Sequence, residues 1–108
     1  MVIMRGDACN VPFDLKDNGQ LLTADKVSEI EVHIGDDIRK LYSAGEVWFD
    51  KDELRWYFRL SQEETFSLNA AKYAVIVRVK FAGNAESDVG GFYMDSIILT
   101  ETFSKNVL

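Results

Sequence analysis

Residues 73–81 read YAVIVRVKF, and this stretch decides the fold class. Its apolar residues recur at every second position, which is the period of a β-strand with one buried face. The side chains expected on that buried face are Tyr73, Val75, Val77, Val79 and Phe81. The other face is apolar at Ala74 and Ile76 and becomes basic further along, so we expect part of it to be covered and part exposed.

The same period of two extends to both sides of this stretch. It predicts further strands over residues 9–15, 27–34, 38–43, 46–50, 54–60 and 92–100. Pro12 cannot donate a hydrogen bond to a β-ladder, which favours an edge strand or a bulge at that position. Gly19, within KDNGQ at 16–20, is expected to form a turn with positive φ. About seven short strands separated by turns predict an all-β chain, folded as an immunoglobulin-like antiparallel β-sandwich.

One stretch breaks the β pattern. SQEETFSL at 61–68 begins with Ser61 and carries Glu64 three places later, which is the spacing of a helix capping box. We therefore expect one short helical turn near 61–68, with Phe66 and Leu68 anchoring it on the sandwich. At 108 residues the chain has the length of a single domain, and we assign residues 1–108 to it.

Charge and cysteine content narrow the function classes. The formal net charge is −6 and the basic residues are scattered, which argues against a nucleic-acid or membrane partner because phosphate groups need clustered Lys and Arg. Cys9 is the only cysteine, so an intrachain disulfide is impossible. The opening MVIMRGDACN is too short in its apolar part for a signal peptide, and no run approaches transmembrane length. We expect a protein that folds in a reducing cytoplasm and is not secreted by its own signal.

Residues 5–7 spell Arg-Gly-Asp, the tripeptide that extracellular adhesive proteins present to integrins. An integrin ligand belongs outside the cell, which conflicts with the expected cytoplasmic setting. We interpret the tripeptide as a turn that enters the first strand, with Asp7 able to hydrogen-bond nearby backbone.

Tests for catalytic or metal chemistry give no site. His33 is the only histidine and falls on the polar face of its strand, while Cys9 lies among alternating apolar residues. One cysteine and one histidine cannot supply the four ligands of a zinc site. The series that starts at Asp14 resembles a calcium loop in spacing, but Lys16 puts a cation where an oxygen ligand is needed. We expect no enzyme, no cofactor and no metal.

The aromatic residues near the middle of the chain have two interpretations. Trp56 and Phe58 alternate onto a probable core face, whereas Trp48 and Tyr57 fall at the rim or on the opposite face. Such aromatics form either the core and its rim or a groove for a sugar or peptide. Trp48 and Tyr57 are therefore the candidate ligand groove of an alternative function, a soluble carbohydrate- or peptide-binding β-sandwich module.

The order of short motifs resembles a known group of proteins. It runs from Arg-Gly-Asp through LKDNG, LLTADKVSEIEVHIG, GEVWFD, WYFRLSQEETFSL and AKYAVIVRVKF to a terminal FSKNVL. This series resembles small immunoglobulin-like structural proteins encoded by prophages of Gram-positive bacteria. It is also similar to the N-terminal β domains of phage upper-baseplate and tail proteins. LSQEETFSL followed by KYAVIVRVKF is the most specific part, whereas LLTADKV departs from the usual bend.

The resemblance implies a non-enzymatic structural part of a phage tail, baseplate or connector. Its partners would be other virion proteins or further copies of itself, and it would reside in the host cytoplasm during assembly and then in the virion. Edge strands and apolar surface would make the contacts. The candidate assembly surface comprises Phe92, Tyr93, Met94, Phe103, Val107 and Leu108. The terminal FSKNVL fits equally well as a clip onto its own sandwich.

Overall fold

A computed structural model describes residues 1–83 and 89–101, and for residues 89–94 it describes the backbone alone. The described residues form ten strands, one α-helix (α1, Gln62–Ser67) and a 3-10 helix at Ala24–Lys26. The strands are β1 (Val2–Met4), β2 (Cys9–Phe13), β3 (Lys16–Asp17), β4 (Gln20–Leu21), β5 (Val27–Ile34), β6 (Ile38–Leu41), β7 (Val47–Asp50), β8 (Arg55–Leu60), β9 (Lys72–Phe81) and β10 (Val89–Thr100). The prediction of an all-β chain is confirmed, and the immunoglobulin-like arrangement stays a prediction.

The strands form two principal sheets and a small hairpin. The larger sheet has the strand order β1-β10-β9-β5-β6, the smaller has β2-β8-β7, and β3 pairs with β4. Neighbouring strands are antiparallel except β1 and β10, which run parallel. This parallel pair corrects the expectation of a wholly antiparallel fold. A parallel pair is possible here because no hairpin joins β1 to β10. After β1 the chain crosses to the smaller sheet, and β10 reaches β1 only at the other end of the described chain.

Apolar residues alternate along β9, β5 and β8, and the apolar faces of both sheets pack together into one core. Val75, Val77 and Val79 are buried along β9, while Tyr73 and Phe81 pack against them half-buried, as their spacing predicts. The largest fully buried side chains of the common core are Trp56, Phe13, Phe58, Leu15, Ile30 and Ile34. The buried strand faces therefore follow directly from the period of two.

Local sequence signals are confirmed in three places. The β3–β4 hairpin turns at Asn18 and Gly19, whose φ angles of 50° and 79° suit the two-residue turn that Asn-Gly favours. Pro12 lies in β2, an edge strand of the smaller sheet. Helix α1 begins with the expected capping box, in which Ser61 and Glu64 each accept a hydrogen bond from the other's backbone N–H.

Strand number and bounds differ from the expectation. β1, β3 and β4 are additional to the seven predicted strands, because segments of two or three residues are too short to show a period. β10 begins at Val89, although the last strand was expected to begin at residue 92. Its Gly90 and Gly91 pair with Val79 and Arg78 of β9, so long-range pairing overrides the weak strand propensity of glycine.

Candidate functional site

The Arg-Gly-Asp tripeptide is the turn by which the chain crosses from β1 in the larger sheet to β2 in the smaller. The Asp7 N–H donates to the Met4 carbonyl oxygen at 3.1 Å, which closes the turn through the backbone. The Gly6 N–H donates to Thr65 Oγ1 at 2.9 Å, and that hydroxyl lies 3.1 Å from the Asp7 carbonyl oxygen. The predicted turn is therefore present, but it follows the first strand and does not precede it.

Arg5 fastens this turn to α1 and to the end of β10. Its Nη2 donates to the carbonyl oxygen of Phe66 at 2.9 Å, and its backbone N–H donates to the carbonyl oxygen of Thr100 at 3.0 Å. Gly6 has a φ of +88°, and a Cβ there would lie 2.5 Å from Cζ of Phe66. The protein's own groups therefore bind the tripeptide at the junction of the two sheets.

The residues considered for catalysis lie in different sheets. Cys9 is in β2, opposite Leu60, and burial raises the pKa of its thiol, which lowers its nucleophilic thiolate fraction. His33 is in β5, where its Nε2 lies 2.8 Å from Oε1 of Glu31. The structure therefore does not bring the thiol and the imidazole together.

The spacing that resembles a calcium loop belongs to ordinary turns. Asp14 receives a hydrogen bond from Nε of Arg55 at 3.2 Å, and Lys16 begins the β3–β4 hairpin. Within residues 1–83 and 89–101, no group of three or more His, Cys, Asp or Glu side chains could hold a metal ion. No helix in the same part of the chain is long and apolar enough to cross a membrane.

The residues expected to form the assembly surface are only partly described. Phe92, Tyr93 and Met94 lie in β10, and the Cα positions of Tyr93 and Met94 pair with Val77 and Ile76 of β9. The side chains of residues 92–94 lie outside the described part of the structure, as do Phe103, Val107 and Leu108.

An exposed apolar strip lies on the outer face of the larger sheet. Val2 and Ile98 are partners in the β1–β10 register and are 65% and 40% exposed. Ile76, on β9, is 39% exposed, and the exposed Ala74 precedes it by two residues on the same face. We call Val2, Ala74, Ile76 and Ile98 the outer strip. Sequence reasoning missed β1 and hence Val2, although the apolar Ala74 and Ile76 on the polar face of β9 were a visible signal.

Charged side chains border the outer strip. His33 is the Cα partner of Ile76, and Glu31 accepts hydrogen bonds from His33 and from Arg39 Nε at 2.7 Å. Burial favours the neutral form of Glu31, but the hydrogen bonds from Arg39 and His33 outweigh it and lower its pKa. The carboxylate is therefore held ionised beside the apolar surface.

The structure brings the two aromatic candidates together. Trp48 on β7 and Tyr57 on β8 are register partners, and their rings stack with centroids 5.9 Å apart and planes inclined by 17°. Pro12 of β2 is the partner of Tyr57 on its other side, so the three residues form one row across the smaller sheet. The Tyr57 hydroxyl donates to Glu53, a bond that raises the pKa of Tyr57.

A hollow of about 280 Å³ lies beside Trp48, where β6, β7, β8 and α1 meet. Its lining includes Lys40, Glu46, Trp48, Arg59, Ser61 and Glu64. A second hollow of about 300 Å³ shares Arg59 and Ser61 with it and continues towards Glu63. We call these two neighbouring hollows the Trp48 groove. Sequence reasoning found Trp48 but not Arg59, because the pairing of distant strands and α1 places them around one space.

An ion pair fixes one wall of the groove. Lys40 Nζ donates to both carboxylate oxygens of Glu64, at 2.8 and 2.6 Å, and Glu64 also caps α1 through Ser61. Burial favours neutral Glu64, but the bonds from Lys40 and Ser61 outweigh it and lower its pKa. The ion pair therefore ties α1 to β6.

Comparison with protein-family models, with curated proteins and with solved structures finds no match to this chain.

Proposed function

We propose that this chain is a non-enzymatic structural protein that acts through protein–protein contacts, as a component of a phage tail, baseplate or connector. The outer strip is the observation that carries the proposal. Large side chains such as Val2 and Ile98, exposed side by side on a sheet face, gain free energy when a partner removes them from water. The phage setting rests on the resemblance of the sequence motifs alone.

Charge supports a second copy of the chain as the first partner. The face that carries the outer strip has four basic side chains, Lys72, Arg78, Lys80 and Arg39, against two carboxylates, Glu29 and Glu31. The whole chain has a formal charge of −6, so the remaining surface is acidic. The basic face of one copy would therefore attract the acidic surface of the next in a head-to-tail contact. Head-to-tail contacts close into rings or extend into filaments.

Light scattering over a hundredfold range of protein concentration tests the proposal. We expect the mean mass to rise with concentration and to fall again as salt screens the charges. Ile98→Glu puts a carboxylate in the outer strip and should shift assembly to higher concentration by at least about tenfold, which corresponds to about 1.4 kcal/mol.

Leu54→Glu is the matched control, because Leu54 is a 54% exposed apolar residue in the turn between β7 and β8, away from the outer strip. It should assemble like the unaltered chain. A strictly monomeric protein at every concentration, or equal effects of the two substitutions, would contradict assembly through the outer strip.

A further inference from the structure

The Trp48 groove lies between the smaller sheet, β6 and α1, and it shares no residue with the outer strip. Its two neighbouring hollows, of about 280 and 300 Å³, each lie near the lower end of the roughly 300–1,000 Å³ typical of small-ligand sites. Such sites combine an apolar surface with a few polar groups that fix the orientation of the ligand. The Trp48 groove has both parts.

The apolar part is held in place before any ligand arrives. Trp48 stacks on Tyr57, and Tyr57 is tied to Glu53 through its hydroxyl. On the opposite wall, Lys40 and Glu64 hold each other, and Ser61 holds Glu64. A wall that is already ordered loses little conformational entropy on binding, so weak contacts suffice for measurable affinity.

The polar side chains of the Trp48 groove have hydrogen-bond donors and acceptors that the described part of the protein does not use. Among the described residues, the guanidinium of Arg59 makes one hydrogen bond, from Nη1 to Asn10 Oδ1 at 3.1 Å, out of five possible donors. Glu46 accepts one bond at Oε1, from the backbone N–H of Leu41 at 3.2 Å. A guanidinium and a carboxylate next to an aromatic ring can donate to and accept from neighbouring hydroxyl groups, while the ring packs on C–H groups.

The charge balance selects among ligands. Lys40 and Glu64 neutralise each other, which leaves Arg59 and Glu46 as an opposed pair in the first hollow and Glu63 in the second. An anionic ligand would meet two carboxylates, and a cationic ligand would meet the guanidinium. A neutral ligand with an apolar face and several hydroxyl groups satisfies all of these groups together.

We infer that the Trp48 groove binds one or two units of a neutral pyranose sugar, with Trp48 stacked on the C–H face and Arg59 and Glu46 bonded to the hydroxyl edge. The site would add ligand recognition to a protein whose proposed role is structural. It uses none of the outer-strip residues, so each proposal can fail while the other stands.

Fluorescence titration of the whole chain with maltotriose, cellotriose and chitotriose tests the inference. Trp56 is fully buried and donates from Nε1 to the Leu22 carbonyl oxygen at 2.8 Å, so a sugar-dependent change reports on half-buried Trp48. We expect saturation with a Kd on the order of 1 mM for at least one sugar, since a small ligand makes few contacts.

Arg59→Lys and Arg55→Lys form a matched pair, because both arginines lie on the same strand and face, but only Arg59 lines the groove. Calorimetric titration should give binding at least about tenfold weaker in Arg59→Lys, since a lysine cannot make the paired hydrogen bonds of a guanidinium. Arg55→Lys should bind within about twofold of the unaltered chain.

Three results would overturn the inference. The first is no saturable response to any of the neutral sugars, and the second is equal loss of binding in the two arginine variants. The third is a preference for an acidic sugar such as trigalacturonate, or for an extended peptide, over every neutral sugar tested.

Discussion

Replacing Gly6 by alanine tests whether the Arg-Gly-Asp turn is structural. At a φ of +88° an L-residue costs about 1–2 kcal/mol, partly offset by about 0.4–1 kcal/mol from the stiffer unfolded chain. The added Cβ would also lie 2.5 Å from Cζ of Phe66, so the half-buried ring must leave its place. Losing roughly half of its burial costs about another 1–1.5 kcal/mol. We expect Gly6→Ala to lower the free energy of unfolding by about 1–3 kcal/mol.

Gly19→Ala is the matched control for this experiment. Gly19 also has a positive φ, +79°, but a Cβ there meets nothing within 4 Å, so only the backbone cost of about 1 kcal/mol applies. Urea denaturation should show the midpoint lowered by about 1–2 M in Gly6→Ala, with an unchanged slope, and by less than half as much in Gly19→Ala. On a Phe66→Ala background, Gly6→Ala should cost no more than Gly19→Ala. Equal losses for the two glycine variants in the unaltered chain would refute the steric argument.

Three further predictions concern the same unfolding measurement. Glu64→Gln should lower the free energy of unfolding by about 1.5–3 kcal/mol at pH 7. Because folding lowers the pKa of Glu64, its carboxylate stabilises the fold at pH values above the ordinary pKa of 4.5. This stabilisation is lost as the pH falls through the folded pKa. The difference from the unaltered chain should therefore vanish once the pH lies below the folded pKa of Glu64, and exposed Glu63→Gln should show almost no loss on either side of that pKa. Trp56→Phe should lower the free energy of unfolding by about 2–4 kcal/mol, because it removes the 2.8 Å hydrogen bond to the Leu22 carbonyl oxygen and leaves a cavity in the core. A decrease of less than about 1 kcal/mol would contradict this prediction. Leu54→Asn should stabilise by about 0.5–1 kcal/mol, because Leu54 is exposed at a φ of +56° and asparagine tolerates that conformation better; a destabilised variant would show that Leu54 makes a contact worth more than the strain.

The sequence predicts those features that depend on neighbouring residues. Alternation assigns the buried faces of β5, β8 and β9, because a period of two is imposed by the strand itself. Ser61 and Glu64 predict the start of α1, because a capping box needs only residues three apart. Asn18 and Gly19 predict a turn for the same reason.

The features missed by the sequence depend on residues that are far apart in the chain. β1 has three residues and pairs with β10, so no local period reveals it. Arg5 and the Phe66 carbonyl oxygen are 61 positions apart, and their bond is set by how the two sheets meet. The Trp48 groove likewise needs β6, β7, β8 and α1 in place. The aromatic candidates were visible in the sequence, whereas Arg59 and Glu46 become their neighbours only through strand register.

The β1–β10 pairing sets an order of events during synthesis. The Met1 ammonium group and its acceptor, the Ser96 carbonyl oxygen, lie 95 positions apart. At a translation rate of roughly 5–20 residues per second, about 5–20 s pass between the synthesis of β1 and the synthesis of its partner strand β10. During that interval β5, β6, β7, β8 and α1 have already been synthesised, while Val2 and Ile3 remain without their sheet neighbours. The larger sheet is therefore completed last, when the two ends of the described chain meet.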